Sequence, residues 1–331
     1  MQPLVDTNPS HEQRFHRSSQ TASAFRTGEM ACRAPFDLSH SLAFLRGFSP
    51  MHGEQEIRRN LLSKAMNLEG QPVVLRLFQP RSESKSAAPR LRYALGSDRA
   101  IDPQTEAAAV DRIASFLSTD EDLQPFYGLA ERDVAFVPIV GRLRGLHHVK
   151  FPSPFEAACW GVLNQRIGMP AARKMKDALV RELGARMTQD DVAYWAFPEA
   201  ATVAGFGEGA LCLLLGNDRK ARALHAVARA FADAGDTFLR HAGHDELKTW
   251  LEGIYGVGVF TASFVLYRGF GRFERGPMSP EFTVAAKKVY GRDLSESDVR
   301  DLLARYGRWA GHWMLYVWAS TFVPASAGTI G

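Results

Sequence analysis

The spacing of apolar positions changes twice along the chain. Residues 1–30 are rich in Ser, Thr, Gln, Asn and His and hold few apolar side chains. Such a stretch has too little surface to bury against the entropy of ordering, and it is expected to be a disordered tail. From 31 to about 140 the patterns are mixed. "SHSLAFLRGF" and "TEAAAVDRIASFLS" have helical spacing, whereas "QPVVLRLFQP" and "RLRYALGS" alternate as strands do. "PRSESKSAAPR", between the two strands, reads as a hairpin loop. After Phe151 the alternation stops, and apolar residues recur at helical intervals to about Val323 with Gly and Pro between the runs. The expectation is an α+β protein: a tail over 1–30, a small N-terminal domain with an antiparallel sheet over 31–140, and an all-helical domain over 141–331.

Three helices of the second part have clear ends. In "SPFEAACWGVLNQRI", Ser153 can cap, Pro154 takes the first helical position and Glu156 completes a capping box. That structural reading of Glu156 is preferred to a catalytic one. "GMPAARKMKDALVRELG" is expected to hold its basic residues on the face away from Met175, Leu179 and Val180, and "RKARALHAVARAFADAG" forms a third helix. Next, "IYGVGVFTASF" sets Gly256 and Gly258 at a turn between two helices. Glycines there admit unusual backbone angles and remove side chains, while the first amides of the next helix point outward at the positive end of its dipole. The turn can cradle a phosphate, or it can simply let two helices pack closely.

Charge sharpens the choice of partner. The net charge is only +4, but Gly141 to Arg186 holds nine Lys or Arg against three acids. Gly216 to Arg229 adds four against one, and Arg268 to Arg292 six against two. Three basic segments fit a polyanion partner or a set of solvated helix faces. Apolar runs are too short for a membrane span, no signal-peptide pattern opens the chain, and Cys32, Cys159 and Cys212 are scattered. A cytoplasmic protein without membrane, disulfide framework or zinc site is expected.

"IYGVGVFTASFVLYRGF" resembles the L-P-G-I-G-x-W-T-A-x-Y hairpin of the helix-hairpin-helix DNA glycosylases, in particular the bacterial 3-methyladenine DNA glycosylase II group. "APFDLSHSLAFLRGF", "SPFEAACWGVLNQRIGMPAARK", "GNDRKARAL" and "RYGRWAGHWMLYVWA" are similar to four further segments of that group, in the same order, from about residue 35 to 320. The resemblance implies a helix-hairpin-helix glycosylase domain that acts on double-stranded DNA with damaged bases. Such an enzyme kinks the duplex, flips a damaged nucleotide into an aromatic pocket and cleaves its glycosidic bond. Carried over by position, Phe44, Phe260, Phe264 and Trp318 would line the base pocket, where electron-rich rings favour an alkylated, often cationic purine; each ring taken alone could equally be core. Gln165, Arg166, Ile167, Gly256, Val257 and Gly258 would contact DNA, and Glu281 would be the catalytic carboxylate.

Several positions depart from the family pattern. Phe260 stands where strand-cleaving relatives carry a Schiff-base Lys, which implies monofunctional hydrolysis. Tyr255 replaces the hairpin proline, Asn164 a glycine, Arg166 the gap-filling Leu or Gln, and Glu281 the family's Asp. With Glu281 altered, the alternative is a catalytically weak or inactive protein that binds damaged DNA. Glu281 also suits a helix's first turn for stability alone. A monomer without a cofactor is expected, and the resemblance allows a monovalent cation at the hairpin turn.

Overall fold

The computed structural model describes residues 24–323 apart from 52, 82–87 and 275–279, with Ala24, Pro280 and Glu281 described by backbone only. Five strands, β1 (Ala24–Ala31), β2 (Gln55–Arg58), β3 (Leu61–Leu68), β4 (Gln71–Phe78) and β5 (Arg90–Ser97), form an antiparallel sheet in the order β1-β5-β4-β3-β2. The two strands expected from alternation pair with each other, Leu75 opposite Leu95. Val73, Leu75 and Leu77 and, on the next strand, Leu91, Tyr93 and Leu95 are buried on one face of the sheet.

β1 corrects the expected tail. Residues 24–31 pair along their whole length with β5, from Ala24 opposite Ser97 to Ala31 opposite Arg90. "AFRTGEMA" is an edge strand held by its ladder and by Glu29, which accepts from Arg92 at 2.6 Å, so apolar content was a poor guide to its order. Residues 1–23 lie outside the described part.

Helix α1 (Leu38–Gly47) follows β1, and α2 (Pro103–Leu117), α3 (Gln124–Ala130) and α4 (Val137–Arg142) follow β5. The helical part then opens with α5 (Pro154–Leu163) and α6 (Met169–Leu183). A second correction comes next, because this part is not all helical: β6 (Ala185–Gln189) and β7 (Val192–Ala196) form a hairpin. Asp190 and Asp191 turn it at left-handed φ values of 48° and 60°. Met187, Tyr194 and Ala196 pack on Ala65 and Val74 at the outer face of the sheet, and Arg76 of β4 pairs with Asp190.

Helices α7 (Ala200–Phe206), α8 (Glu208–Leu215), α9 (Asp218–Asp233), α10 (Asp236–His241) and α11 (His244–Glu252) lead to α12 (Val259–Val265), which widens into a π turn at Leu266–Phe270. After it come α13 (Pro280–Tyr290), α14 (Glu296–Tyr306) and α15 (Ala310–Ala319). One apolar core joins the inner face of the sheet to α1–α4 and α13–α15; another unites α5 to α12, and Phe264 packs against both. The interior is therefore not divided near residue 140, where the texture of the sequence changes. Among the described residues no helix is long and apolar enough to cross a membrane.

The capping box at α5 is only half formed. Ser153 Oγ accepts from the Glu156 amide at 3.1 Å, but the Glu156 carboxylate turns inward to Lys176 Nζ at 2.8 Å, and both side chains are buried. Lys176 also pairs with Glu54, which Lys64 of β3 reaches at 3.3 Å. Lys176 thus leaves the solvent face of α6 on which its neighbours sit and links the two helices to the sheet.

Candidate nucleic-acid interface and base pocket

The turn between α11 and α12 is anchored by Ile254 and Val257, both buried, with the Val257 amide donating to the Ile254 carbonyl at 3.0 Å. Its two glycines serve different ends. Gly256 has φ +85°, and a Cβ there would lie 2.3 Å from that of Ala223 on α9. Both facts demand glycine from within the chain. Gly258 has φ −90°, open to any residue, and among the described residues an added Cβ would meet no atom within 4 Å. It starts α12 without a side chain to cap the helix.

The α5–α6 turn lies against this hairpin. Gln165 Nε2 donates to Gly256 O at 2.8 Å and Thr261 Oγ1 at 3.0 Å, so its amide joins the two turns. Next to it, Arg166 is exposed and left-handed at φ 57°, a costly conformation for a non-glycine residue. Ile167 is half-buried against the first core. Lys220 fixes this segment from below, its buried ammonium donating to the carbonyls of Val162, Leu163 and Gln165 at 3.2, 2.8 and 2.7 Å. It supplies the C-terminal cap of α5 from α9. Sequence reasoning had placed Lys220 in a basic segment and in a family-like stretch, without a task of its own.

Three of the four expected pocket rings belong to one aromatic cluster. Phe44 of α1 lies 5.4 Å from Trp318 of α15, Phe48 bridges Phe44 and Phe151, and Phe151 lies 5.9 Å from Phe264. Phe44 is fully buried, whereas Trp318 and Phe264 are half-buried. Phe260 does not join them. It is 63% exposed at the start of α12, beside Tyr255 and Val259, and forms no ring contact among the described residues. It shares a helix face with Phe264 but lies about 6 Å nearer the exposed start of α12. Glu281 falls in the first turn of α13, and its side chain lies outside the described residues.

The cluster holds a residue that the sequence reading missed. Arg268, in the π turn after α12, is buried with its guanidinium carbon 4.9, 5.2 and 5.4 Å from the ring centres of Phe44, Phe48 and Trp318. Burial lowers its pKa to about 10, which leaves it charged at neutral pH. The signal lay in register: residue 268 falls on the same helical stripe as 261, 264 and 265, so the cation was written onto an apolar face.

A cavity of about 1100 Å³ opens elsewhere, lined by Lys64, Asp111, Glu156, Lys176 and Tyr194 among others. It lies at the N-terminal end of α5, about 15 Å of helix away from Gln165 and Arg166, and none of the four expected rings lines it. Its acids and bases are interspersed, which suits neither a phosphate backbone nor an apolar base. The basic surface beside the hairpin is different: Arg166, Arg219 and Arg222 are exposed, and the Arg222 guanidinium stacks 4.6 Å from the Tyr255 ring.

The archaeal 3-methyladenine DNA glycosylase from Archaeoglobus fulgidus superposes with a TM-score of 0.71 at 19% identity, over 88% of this chain and 97% of that one. The fold is that of the helix-hairpin-helix DNA glycosylases. A Clostridium acetobutylicum 8-oxoguanine glycosylase/lyase, solved with double-stranded DNA containing cytosine opposite 8-oxoguanine, aligns with a TM-score of 0.62 at 13% identity, over 89% of this chain and 96% of that one. In sequence, the chain is 24% identical over 230 residues to the DNA-3-methyladenine glycosylase of Bacillus subtilis, covering 68% of this chain and 76% of the relative. A scan against models of known protein families finds no match.

Proposed function

We propose that this protein is a monofunctional DNA glycosylase of base excision repair, acting as a cytoplasmic monomer on double-stranded DNA that carries alkylated purines. The observation that carries the reading is Gly258. Nothing among the described residues requires a glycine there, and we take the reason for its bare backbone to lie outside, in a partner that comes against the amides opening α12. A phosphate fits that place, and Arg166, Arg219 and Arg222 fit the strand on either side. The likeness to a named 3-methyladenine glycosylase over two thirds of the chain supplies the reaction class.

In this reading Arg166 enters the duplex where the nucleotide is extruded, and the lesion meets the half-buried rings of Trp318 and Phe264. The Glu281 carboxylate stabilises positive charge on the deoxyribose as the glycosidic bond lengthens and orients the water that attacks C1′. Phe260 cannot form a Schiff base, so the products are a free base and an abasic site. The cation that the resemblance implies would reduce repulsion at the phosphate. The Ile254 and Gly256 carbonyls fit such an ion, since each accepts one internal hydrogen bond and keeps a second lone pair. The test is to incubate the protein with methylated duplex DNA and identify what leaves. Free alkylpurines with an intact but alkali-labile strand are expected. Strand cleavage with a borohydride-trapped adduct overturns monofunctional chemistry, and no released base overturns the enzyme.

A further inference from the structure

Arg268 is an unusual choice for the interior. Its guanidinium lies against Phe44, Phe48 and Trp318, and Nη1 donates to Val149 O at 3.1 Å. Among the described residues no other hydrogen bond to the group and no carboxylate partner is present. A buried charge without a counter-ion is costly, and Met or Leu would fill the same space without that cost. A fourth ring, Tyr267, lies 4.9 Å away, and two of the four, Phe44 and Trp318, are the ones to which the resemblance assigns the flipped base. The cage that would stabilise a cation is already occupied by one.

We infer that Arg268 is a specificity-determining residue of the base pocket, selecting uncharged purine lesions with acceptor atoms on their edge over cationic ones. This inference rests on the glycosylase reading and ranks substrates within it: cationic alkylpurines are still released, but more slowly than neutral purine lesions. A base stacked on Trp318 beside the guanidinium meets a fixed positive charge in surroundings that screen little. A purine that is already cationic is bound less tightly; one presenting O6 and N7 accepts from the unused N–H groups. The same contact acts in the reaction. As the C1′–N9 bond breaks, its electron pair passes into the purine and charge develops on N7 and O6, where the guanidinium donates. Water adds to C1′, and the proton it loses ends on the departing base. A neutral leaving group, which lacks the built-in activation of a cationic one, needs that help.

The experiment compares two duplexes that differ in one nucleotide, hypoxanthine or 7-methylguanine, the second being cationic with N7 blocked. Affinity is measured by competition on ice, and base release under single-turnover conditions, for the parent, Arg268→Gln and Arg268→Lys. The parent is expected to favour hypoxanthine in both measurements, and Arg268→Gln to move both ratios at least tenfold toward 7-methylguanine. Arg268→Lys keeps the charge without the planar fork, so it should still disfavour 7-methylguanine while binding hypoxanthine less well. If Arg268→Gln does not fold, the lysine variant carries the test, and parental behaviour on both duplexes overturns the inference. A parent that favours 7-methylguanine, or a glutamine variant that slows both releases equally, means that the guanidinium only supports the rings. Binding ratios that shift as expected while neither base is released would retain Arg268 as a reader of bases and remove the enzyme.

Discussion

Gly256 and Gly258 are two residues apart and separate the demands of the fold from those of a partner. Gly256→Ala must hold a left-handed angle and push against Ala223, so a stability loss of about 2 kcal/mol or more is expected in denaturant melts. Gly258→Asp has room and an ordinary φ, so stability should change by no more than about 0.5 kcal/mol. Affinity for abasic duplex should nevertheless fall about tenfold or more, through bulk and like charge at a helix N-terminus. Equal affinity of the Asp variant and the parent would remove the phosphate from the turn. The sequence showed that both positions were special but could not distinguish them, since the distinction depends on Ala223 from another helix. Lys220 was more legible than it was read to be. It is the third residue of α9, where a cation opposes the helix dipole, and such a placement signals a compensating partner, here the carbonyl end of α5.

At the scale of elements, helices with caps and apolar stripes were legible, and so was the β4–β5 pair with its strict alternation. β1 was not, because an edge strand draws its order from a neighbour's backbone. The β6–β7 hairpin was missed inside a helical stretch, although "QDDVAYWA" holds a two-residue Asp turn before β-branched and aromatic residues. The start of α13 was read as a helix N-terminus, and Pro280 does open it. An acid in that first turn is stabilised by the dipole whether or not it is catalytic, so only a rate separates the two roles. Glu281→Gln should abolish base release while lesion binding persists. The extra methylene of Glu relative to the family's Asp moves the charge by roughly 1 Å, a displacement worth on the order of 100-fold in rate. Glu281→Asp should therefore alter single-turnover release markedly, upward if the site kept the family's spacing and downward if it was rebuilt around Glu. Release at the parental rate in Glu281→Gln would leave Glu281 a helix-end acid.

Over the whole molecule, the count of basic residues overstated the surface that DNA can use. Lys176, Lys220 and Arg268 come from the three basic segments, and each is buried with a task inside the fold. The cluster of Lys176, Glu54, Glu156 and Lys64 ties α5 and α6 to the sheet, joining the two parts that the sequence had separated. Removing one partner of such a buried group leaves its carboxylates uncompensated, so Lys176→Met should lower stability by about 3–5 kcal/mol. Because Lys176 never faces a phosphate, the steepness of DNA binding against salt should not change in that variant at a temperature where it remains folded. Arg222, exposed on Tyr255 beside the hairpin, should behave in the opposite way: Arg222→Ala leaves stability nearly intact and reduces the slope of log affinity against log salt by about 0.9, the contribution of one phosphate contact. Measuring both slopes assigns each cation to fold or interface. A lower slope in Lys176→Met, or an unchanged one in Arg222→Ala, would place the DNA on a different face of the protein from the one built by Arg166, Gly258 and Tyr255.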